Sequence, residues 1–239
     1  MNVNNLITDP VLAGKRHFKY LDIIGMVWIS CLMLSTFTAS KIFDLGSFQL
    51  SVGVLVYPFT YIFADVFTEV YGYRQTRRIV WTGLVMLFFA SLVLRAMVGV
   101  PPSRDYPEQQ AFATIFGQSS LLTLATMACF FCGEVSNSYV LAKMKIKTEG
   151  KWLWLRATLS TIAGQLVDNF IFYLVAFGFN GTFPAATLVN LWLSTVAFCA
   201  IYELVMTPLT YKICGFLKLA EGLDVYDRGT NFNPFVLRR

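Results

Sequence analysis

Histidine is almost absent: the chain carries one, His17. That excludes enzymes that need paired imidazoles to hold an intramembrane zinc or to shuttle protons. No G-x-x-x-x-G-K-[ST] loop occurs either, so the chain does not itself hydrolyse ATP through a P-loop. Charge is scarce, at 14% of residues, where a soluble domain carries about a quarter. The five cysteines (Cys31, Cys129, Cys132, Cys199 and Cys214) lie inside or at the ends of apolar runs, so no disulfide framework follows. Cys129-Phe-Phe-Cys132 stands in an apolar helix without the further ligands a zinc site needs. No cofactor is called for.

What is present is apolar: 56% of the residues are hydrophobic and 16% aromatic. Roughly 20 apolar residues cross a bilayer as a helix. Six candidates occur, at about 21–40, 49–71, 79–99, 119–143, 157–179 and 187–212. The expected fold class is an all-α integral membrane protein with six transmembrane helices. The expected division is a leader over 1–20, a transmembrane domain over 21–215 and a polar, peripheral tail over 216–239, with a short surface helix in GFLKLAEGLDVYD. The first run is too long for a signal-peptide core and has no small-residue cleavage site, so it reads as a retained helix.

With the N-terminus in the cytoplasm, cytoplasmic segments hold 16 of the 19 Lys and Arg, and the outer side keeps Lys41, Arg95 and Arg104. That is the positive-inside distribution. It predicts both termini in the cytoplasm of a cell with this multi-pass chain in its inner or plasma membrane. The net charge of +5 is then a set of topology anchors, not a nucleic-acid surface. Between the third and fourth runs, Pro101, Pro102 and Pro107 break the chain. Phe112, Ile115 and Phe116 then recur at helical spacing, which predicts a short interfacial helix, either a lid or a headgroup-resting element. Pro58 and Pro208 fall inside predicted helices. Each removes a donor and bends its helix, and the freed carbonyls can line a polar cavity or serve gating.

Asp22 apart, at the very start of the first span, five of the 14 acidic residues lie within predicted spans: Asp65, Glu69, Glu134, Asp168 and Glu203. The basic residue expected within a span is Arg95, near an outer end. A central Asp costs about 2.5–3.5 kcal/mol on insertion scales, so these acids must face the bundle interior and await a proton, a hydrogen bond or a ligand. Asp65, Glu134 and Glu203 each precede a basic residue by nine positions, and Asp168 follows Arg156 by twelve. At ~1.5 Å per residue, all four fall at one depth, roughly 14–18 Å from the basic belt. Glu69 lies one turn nearer that belt, where it either pairs with Arg77 or Arg78 or takes part in coupling. Asn137, Gln165 and Asn169 sit beside the acids, and Tyr57, Tyr61, Tyr173, Trp192 and Tyr202 add ring faces. Carboxylates, amides and rings together describe a pocket for a flat heterocycle with several N–H groups. No nucleophile is recognisable, so an enzyme is not expected.

The stretches YPFTYIFADVFTEVYGYRQTRRIVW, FFCGEVSNSYVLAKMKIKTEGKWLWLRATLSTIAGQLVDNFIFY and IYELVMTPLTYK resemble the queuosine precursor transporter family, also grouped as vitamin uptake transporters. The likeness runs from about Leu21 to Gly215. It implies six transmembrane helices, in a fold similar to the substrate-binding components of energy-coupling-factor transporters. It also implies import of deazaguanine precursors of queuosine, the nitrile (7-cyano-7-deazaguanine, preQ0) and the aminomethyl form (preQ1), which supply tRNA modification. The site residues it implies are Asp65, Glu69, Glu134, Gln165, Asp168 and Glu203. With the residue reading, the expected substrate-binding set is Asp65, Glu134, Asn137, Gln165, Asp168, Glu203 and Tyr57, with Glu69, Pro58 and Pro208 for coupling or gating. The expected partners are a deazaguanine-type small molecule and the lipid bilayer. A homo-oligomer is compatible, and nothing in the sequence requires an energising partner. The competing expectation is a binding subunit for another heterocycle or vitamin, dependent on a separate ATP-driven module.

Overall fold

A computed structural model describes residues 6–14, 17–38, 41–45, 48–117, 120–175 and 184–236. Lys15, Arg16, Arg238 and Arg239 of the expected basic belt lie outside the described residues. So do positions 39–40, 119 and 176–179 of the expected spans.

Six long helices dominate: α2 (Leu21–Thr38), α3 (Tyr57–Tyr71), α4 (Tyr73–Val98), α6 (Ser120–Lys147), α7 (Leu153–Tyr173) and α8 (Ala185–Glu221). Two short ones accompany them, α1 (Pro10–Ala13) and α5 (Gln109–Phe116). Among these, α2, α4 and α8 are long and apolar enough to cross a membrane. Their outward faces expose Met26, Val85, Phe88, Phe89, Leu92, Ile201 and Val205. An apolar surface that extensive is unstable in water and suits hydrocarbon.

The second expected run departs from a single helix. Strands β1 (Ile42–Leu45) and β2 (Phe48–Ser51) pair as an antiparallel hairpin, and a 3₁₀ turn over Val52–Leu55 follows. Ser51 starts that turn by accepting from the Gly53 N–H. The helix α3 begins only at Tyr57, with Pro58 in its first turn. A proline there loses no helical hydrogen bond, because the first amides have no intrahelical partner. The bend expected at Pro58 is therefore absent. Pro208 does lie inside α8, where its missing donor cannot reach the Leu204 carbonyl.

Between α3 and α4 the chain passes Gly72 at φ +83°, a conformation that disfavours a side chain. Space forbids one too: a Cβ there would stand 2.7 Å from Val225 Cγ1. Val225 belongs to the C-terminal tail, which is not peripheral. The helix α8 runs to Glu221, and Leu223, Val225 and Asp227 are buried beyond it. Tyr73 N donates to Asp227 Oδ2 at 2.9 Å, Arg77 Nη1 to the carbonyls of Asn231 and Asn233 at 2.9 and 2.6 Å, and Trp81 Nε1 to Pro234 O at 2.8 Å. The leader joins in. Asp9 caps α1, Ile7 N donates to Gly222 O at 3.0 Å, and Tyr226 N to Thr8 O at 2.9 Å. Both ends of the chain thus strap the same end of the bundle, around a core that includes Trp28, Phe67, Val70, Tyr71, Phe130 and Leu217.

The short helix expected after Pro107 is α5, where Phe112 and Phe116 stack at 4.9 Å between ring centroids. The helix α6 packs along α7, and α7 along α8, while α3 lies against α6 and α8. That arrangement surrounds α3, whose residues from Ala64 to Tyr71 are all buried.

A buried carboxylate layer as the candidate functional site

The helix α3 supplies Tyr57, Tyr61, Asp65 and Glu69, one turn apart and on one face. The helix α7 buries the series Leu153, Arg156, Ala157, Ser160, Thr161, Gly164, Gln165, Asp168 and Asn169, a strict three-and-four spacing. The helix α6 contributes Glu134, Asn137, Ser138, Leu141 and Lys145 on one buried face, and α8 contributes Glu203.

Two close helix approaches bring these faces together. A Cβ at Gly133 would stand 2.7 Å from both Asp168 Cβ and the Tyr61 hydroxyl. A Cβ at Gly164 would stand 2.8 Å from Tyr61 Cε1 and 2.9 Å from Gly133 O. Glycine at both places lets α6 and α7 touch while the Tyr61 ring fills the gap. Ser160 and Gly164, four residues apart on α7 and both buried, form a small-xxx-small pair that suits this close contact.

Asp168, Asp65, Glu134 and Glu203 are 3%, 0%, 0% and 1% exposed. Their partners differ. Asp168 Oδ2 accepts from the hydroxyls of Tyr57 and Tyr61, the latter at 3.1 Å. Asp65 Oδ1 accepts from Asn137 Nδ2 at 2.8 Å. Asp65 lies within electrostatic reach of Glu203 and Glu134, and Tyr61 within reach of Glu134 and Asp65. Among the described residues, none of the four forms an ion pair with a lysine or arginine. Several buried polar atoms of the layer have no hydrogen-bond partner among the described residues: Asp65 Oδ2, both oxygens of Glu134, Asn137 Oδ1, Glu203 Oε1 and Gln165 Nε2. Gln165 spends its own oxygen on Asn169 Nδ2 at 2.6 Å. Buried polar groups are ordinarily satisfied, so this set makes the layer the candidate site.

Glu69 is different. It does not meet Arg77 or Arg78: Arg77 serves the tail, and Arg78 Nη1 donates to Gln75 Oε1 at 3.2 Å. Instead Arg156 Nη1 donates to Glu69 Oε2 at 2.6 Å, Lys218 Nζ to Oε1 at 2.6 Å, and Lys145 Nζ to the Glu69 carbonyl at 2.5 Å. Asp224 accepts from Lys145 at 2.7 Å and lies 2.8 Å from Lys218. One turn of α3 therefore separates a carboxylate with three cations from a layer with none. The bases Lys145, Arg156 and Lys218 were expected in the cytoplasmic belt, not against Glu69. The continuation of the Glu134 face to Lys145, and of the Asp168 face back to Arg156, was the available signal.

Pro58 lies at the start of α3 and Pro208 beyond Glu203 on α8, both on helices of the site and neither among its hydrogen bonds. Among the described residues, no three His, Cys, Asp or Glu side chains are grouped as metal ligands.

The family model described as "Putative vitamin uptake transporter" matches residues 51–213, more than half of the chain. A protein of Bacillus subtilis named "Probable queuosine precursor transporter" is 29% identical over 190 residues, covering 77% of this chain and 81% of that one. A Haemophilus influenzae protein of the same name is 22% identical over 189 residues, with coverage of 72% and 75%. The "Queuosine precursor transporter" of Escherichia coli is 20% identical over 167 residues, with coverage of 70% and 73%. No solved structure gives a significant match.

Proposed function

The chain belongs to the vitamin uptake transporter family, a family of transporters and not of enzymes, and from that premise we propose that it imports queuosine precursors. The three relatives carry that substrate class in their names. The observation that carries the reading is the set of unpartnered atoms among the described residues: oxygen acceptors of Asp65, Glu134, Asn137 and Glu203 beside the Gln165 Nε2 donor and the hydroxyls of Ser138 and Thr161.

A guanine-type edge is the complement of that inventory. It offers an N1–H and an exocyclic NH₂ side by side, and a carbonyl that accepts. In this reading Glu134 accepts the two N–H groups, as pockets do that read a Watson–Crick edge. Gln165 donates to the carbonyl. Asp168, oriented by Tyr57 and Tyr61, holds a further ring N–H. The aminomethyl form adds a cation, for which Asp65 and Glu203 are the charge-assisted acceptors. The nitrile form leaves those two acids to a proton or a cation, since an uncompensated carboxylate is unstable in a dry interior. Asn137 positions Asp65. Glu69 anchors the adjacent ends of four elements and so couples the site to the strap, with Pro208 as the flexible point of α8.

The topology we propose has all six long helices spanning the bilayer of an inner or plasma membrane, with both termini on the cytoplasmic side. The basic residues Lys145, Arg156 and Lys218 then mark the cytoplasmic end of the bundle.

The test is flux through the purified chain in liposomes, with labelled 7-cyano-7-deazaguanine. Saturable uptake by the chain alone supports the proposal. Binding without flux favours a binding subunit that depends on a separate ATP-driven module. Neither binding nor flux removes the substrate assignment.

A further inference from the structure

At the strapped end of the bundle, a groove of about 630 Å³ opens between the leader, α2 and α4. That volume is in the range of small-molecule sites, about 300–1,000 Å³. Its walls are graded in polarity. His17, Asp22, Gln75 and Arg78 line it near the ends of the helices, and Gly25, Ile29 and Ile79 line it further in.

The cause of the groove is a local splay. The helices α2 and α4 touch at Trp28 and Gly83, where a Cβ on the glycine would stand 2.6 Å from Trp28 Cζ3. One turn nearer the terminus, Gly25 is buried, yet a Cβ there would meet nothing within 4 Å. The missing side chain therefore leaves open space that Trp28 closes from above. From Asp22 to Ile29 the groove runs roughly 10 Å along the helix, the length of a glycerol backbone and the first carbons of an acyl chain.

The rim carries both signs of charge. Arg78 is exposed and directs one N–H at Gln75 Oε1, 3.2 Å away, leaving other donors of its guanidinium for a ligand. Arg74 adds positive charge nearby, with Nη1 3.2 Å from the Cβ position of Gly14 and a buried Nε that has no partner. Asp22, on the first turn of α2, is exposed.

We propose that this groove binds a phospholipid whose headgroup joins a phosphate to a primary ammonium. The phosphate lies on Arg78 and His17, the ammonium donates to Asp22, and one acyl chain enters over Gly25 between Ile29 and Ile79. A guanidinium supplies the forked donors that phosphate geometry favours. A carboxylate on the same rim accepts a charge-assisted hydrogen bond from a primary ammonium, which a quaternary ammonium, having no N–H, cannot donate. Pockets between helices near a membrane surface are common headgroup sites. The site depends on the membrane character of the chain and not on what the chain transports.

The test is native mass spectrometry of the purified full chain in detergent, with phosphatidylethanolamine, phosphatidylcholine and phosphatidylglycerol of equal chain length and with inorganic phosphate. The expected result is retention of phosphatidylethanolamine about tenfold above the other two, the discrimination that one charge-assisted hydrogen bond allows. Asp22→Asn removes the preference over phosphatidylcholine. Gly25→Leu fills the open space and lowers retention of every lipid. Asp22 is exposed, so its amide variant carries the test if Gly25→Leu fails to fold. Equal retention of the three lipids, a preference for phosphatidylglycerol, displacement by inorganic phosphate, or an unchanged preference in Asp22→Asn would overturn the proposal.

Discussion

Arg156 meets Glu69 through both of its terminal nitrogens, at 2.6 and 3.3 Å, and both side chains are almost fully buried. The pair joins α7 to α3, and Lys145, Lys218 and Asp224 extend it to α6, α8 and the tail. Burying such a network is costly, so its stability rests on every member having a partner. Replacing Glu69 by Ala leaves three cations around a missing charge. The expected loss is about 3–5 kcal/mol, seen as a large drop in the thermal unfolding midpoint in fixed detergent. An unchanged midpoint would mean that water reaches these groups.

Asp168 is held from α3 by two tyrosine hydroxyls. Tyr57→Phe with Tyr61→Phe removes both donors while keeping the rings. If Asp168 meets the ligand in that orientation, the double variant loses about 1–3 kcal/mol of binding, or roughly fivefold to a hundredfold in affinity. Asp168→Asn loses at least as much. Titration of each purified variant with a deazaguanine checks this, and equal affinities would detach Asp168 from the ligand.

Gly164 tests the packing rather than the chemistry. An added methyl would lie 2.8 Å from the Tyr61 ring and 2.9 Å from Asn137 Cβ. Gly164→Ala is expected to destabilise the chain by about 1–3 kcal/mol, the usual cost of overpacking, and to weaken binding because Tyr61 and Asn137 are both displaced. Gly215→Ala is the control, since a Cβ there meets nothing within 4 Å. Comparable melting curves for the two variants would contradict the close contact.

The tail has a pH dependence of its own. Burial pushes the Asp227 carboxyl above its ordinary value, against the Tyr73 N–H and the Thr230 hydroxyl, which pull it down. A group whose folded pKa is raised stabilises the folded form at low pH, and that contribution is lost as pH rises through the raised value. Protection of the Tyr73 amide from hydrogen exchange, corrected for the intrinsic rate, is therefore expected to fall as pH climbs from the acid side. Asp227→Asn should flatten that slope while keeping the tail docked, because its amide oxygen still accepts from Tyr73. A slope of opposite sign would contradict the account.

Much of this arrangement is legible in the sequence, because a carboxylate inside an apolar run has few tolerable destinations. The spacing of Asp65, Glu134, Asp168 and Glu203 from their basic residues already set them at one depth, and the helices bring them together. The same periodicity held information that counting by spans concealed. Arg156 falls on the Asp168 face and Lys145 on the Glu134 face, but both lie between the expected spans 119–143 and 157–179, which stop short of the helices Ser120–Lys147 and Leu153–Tyr173. Pro58 misled for a related reason: hydrophobicity continues through residues 49–56, where the backbone forms a strand and a 3₁₀ turn, so the start of α3 was hidden. The burial of the tail was not readable locally. Its Asp227 carboxylate and the carbonyls of Val225, Asn231 and Asn233 are satisfied by Tyr73, Arg77 and Lys145, about 80 to 160 residues away in the chain.

The most direct measurement is the affinity of the purified chain for 7-cyano-7-deazaguanine and for the analogue that lacks its exocyclic amine, in the wild type and in Glu134→Gln. If the unpartnered Glu134 reads the paired N–H edge, losing the amine weakens binding to the wild type at least tenfold, in line with an unsatisfied buried acceptor. The variant then shows little further loss between the two ligands. Equal binding of both ligands by the wild type, or a tenfold discrimination that survives Glu134→Gln, would contradict the claim that this carboxylate recognises the substrate.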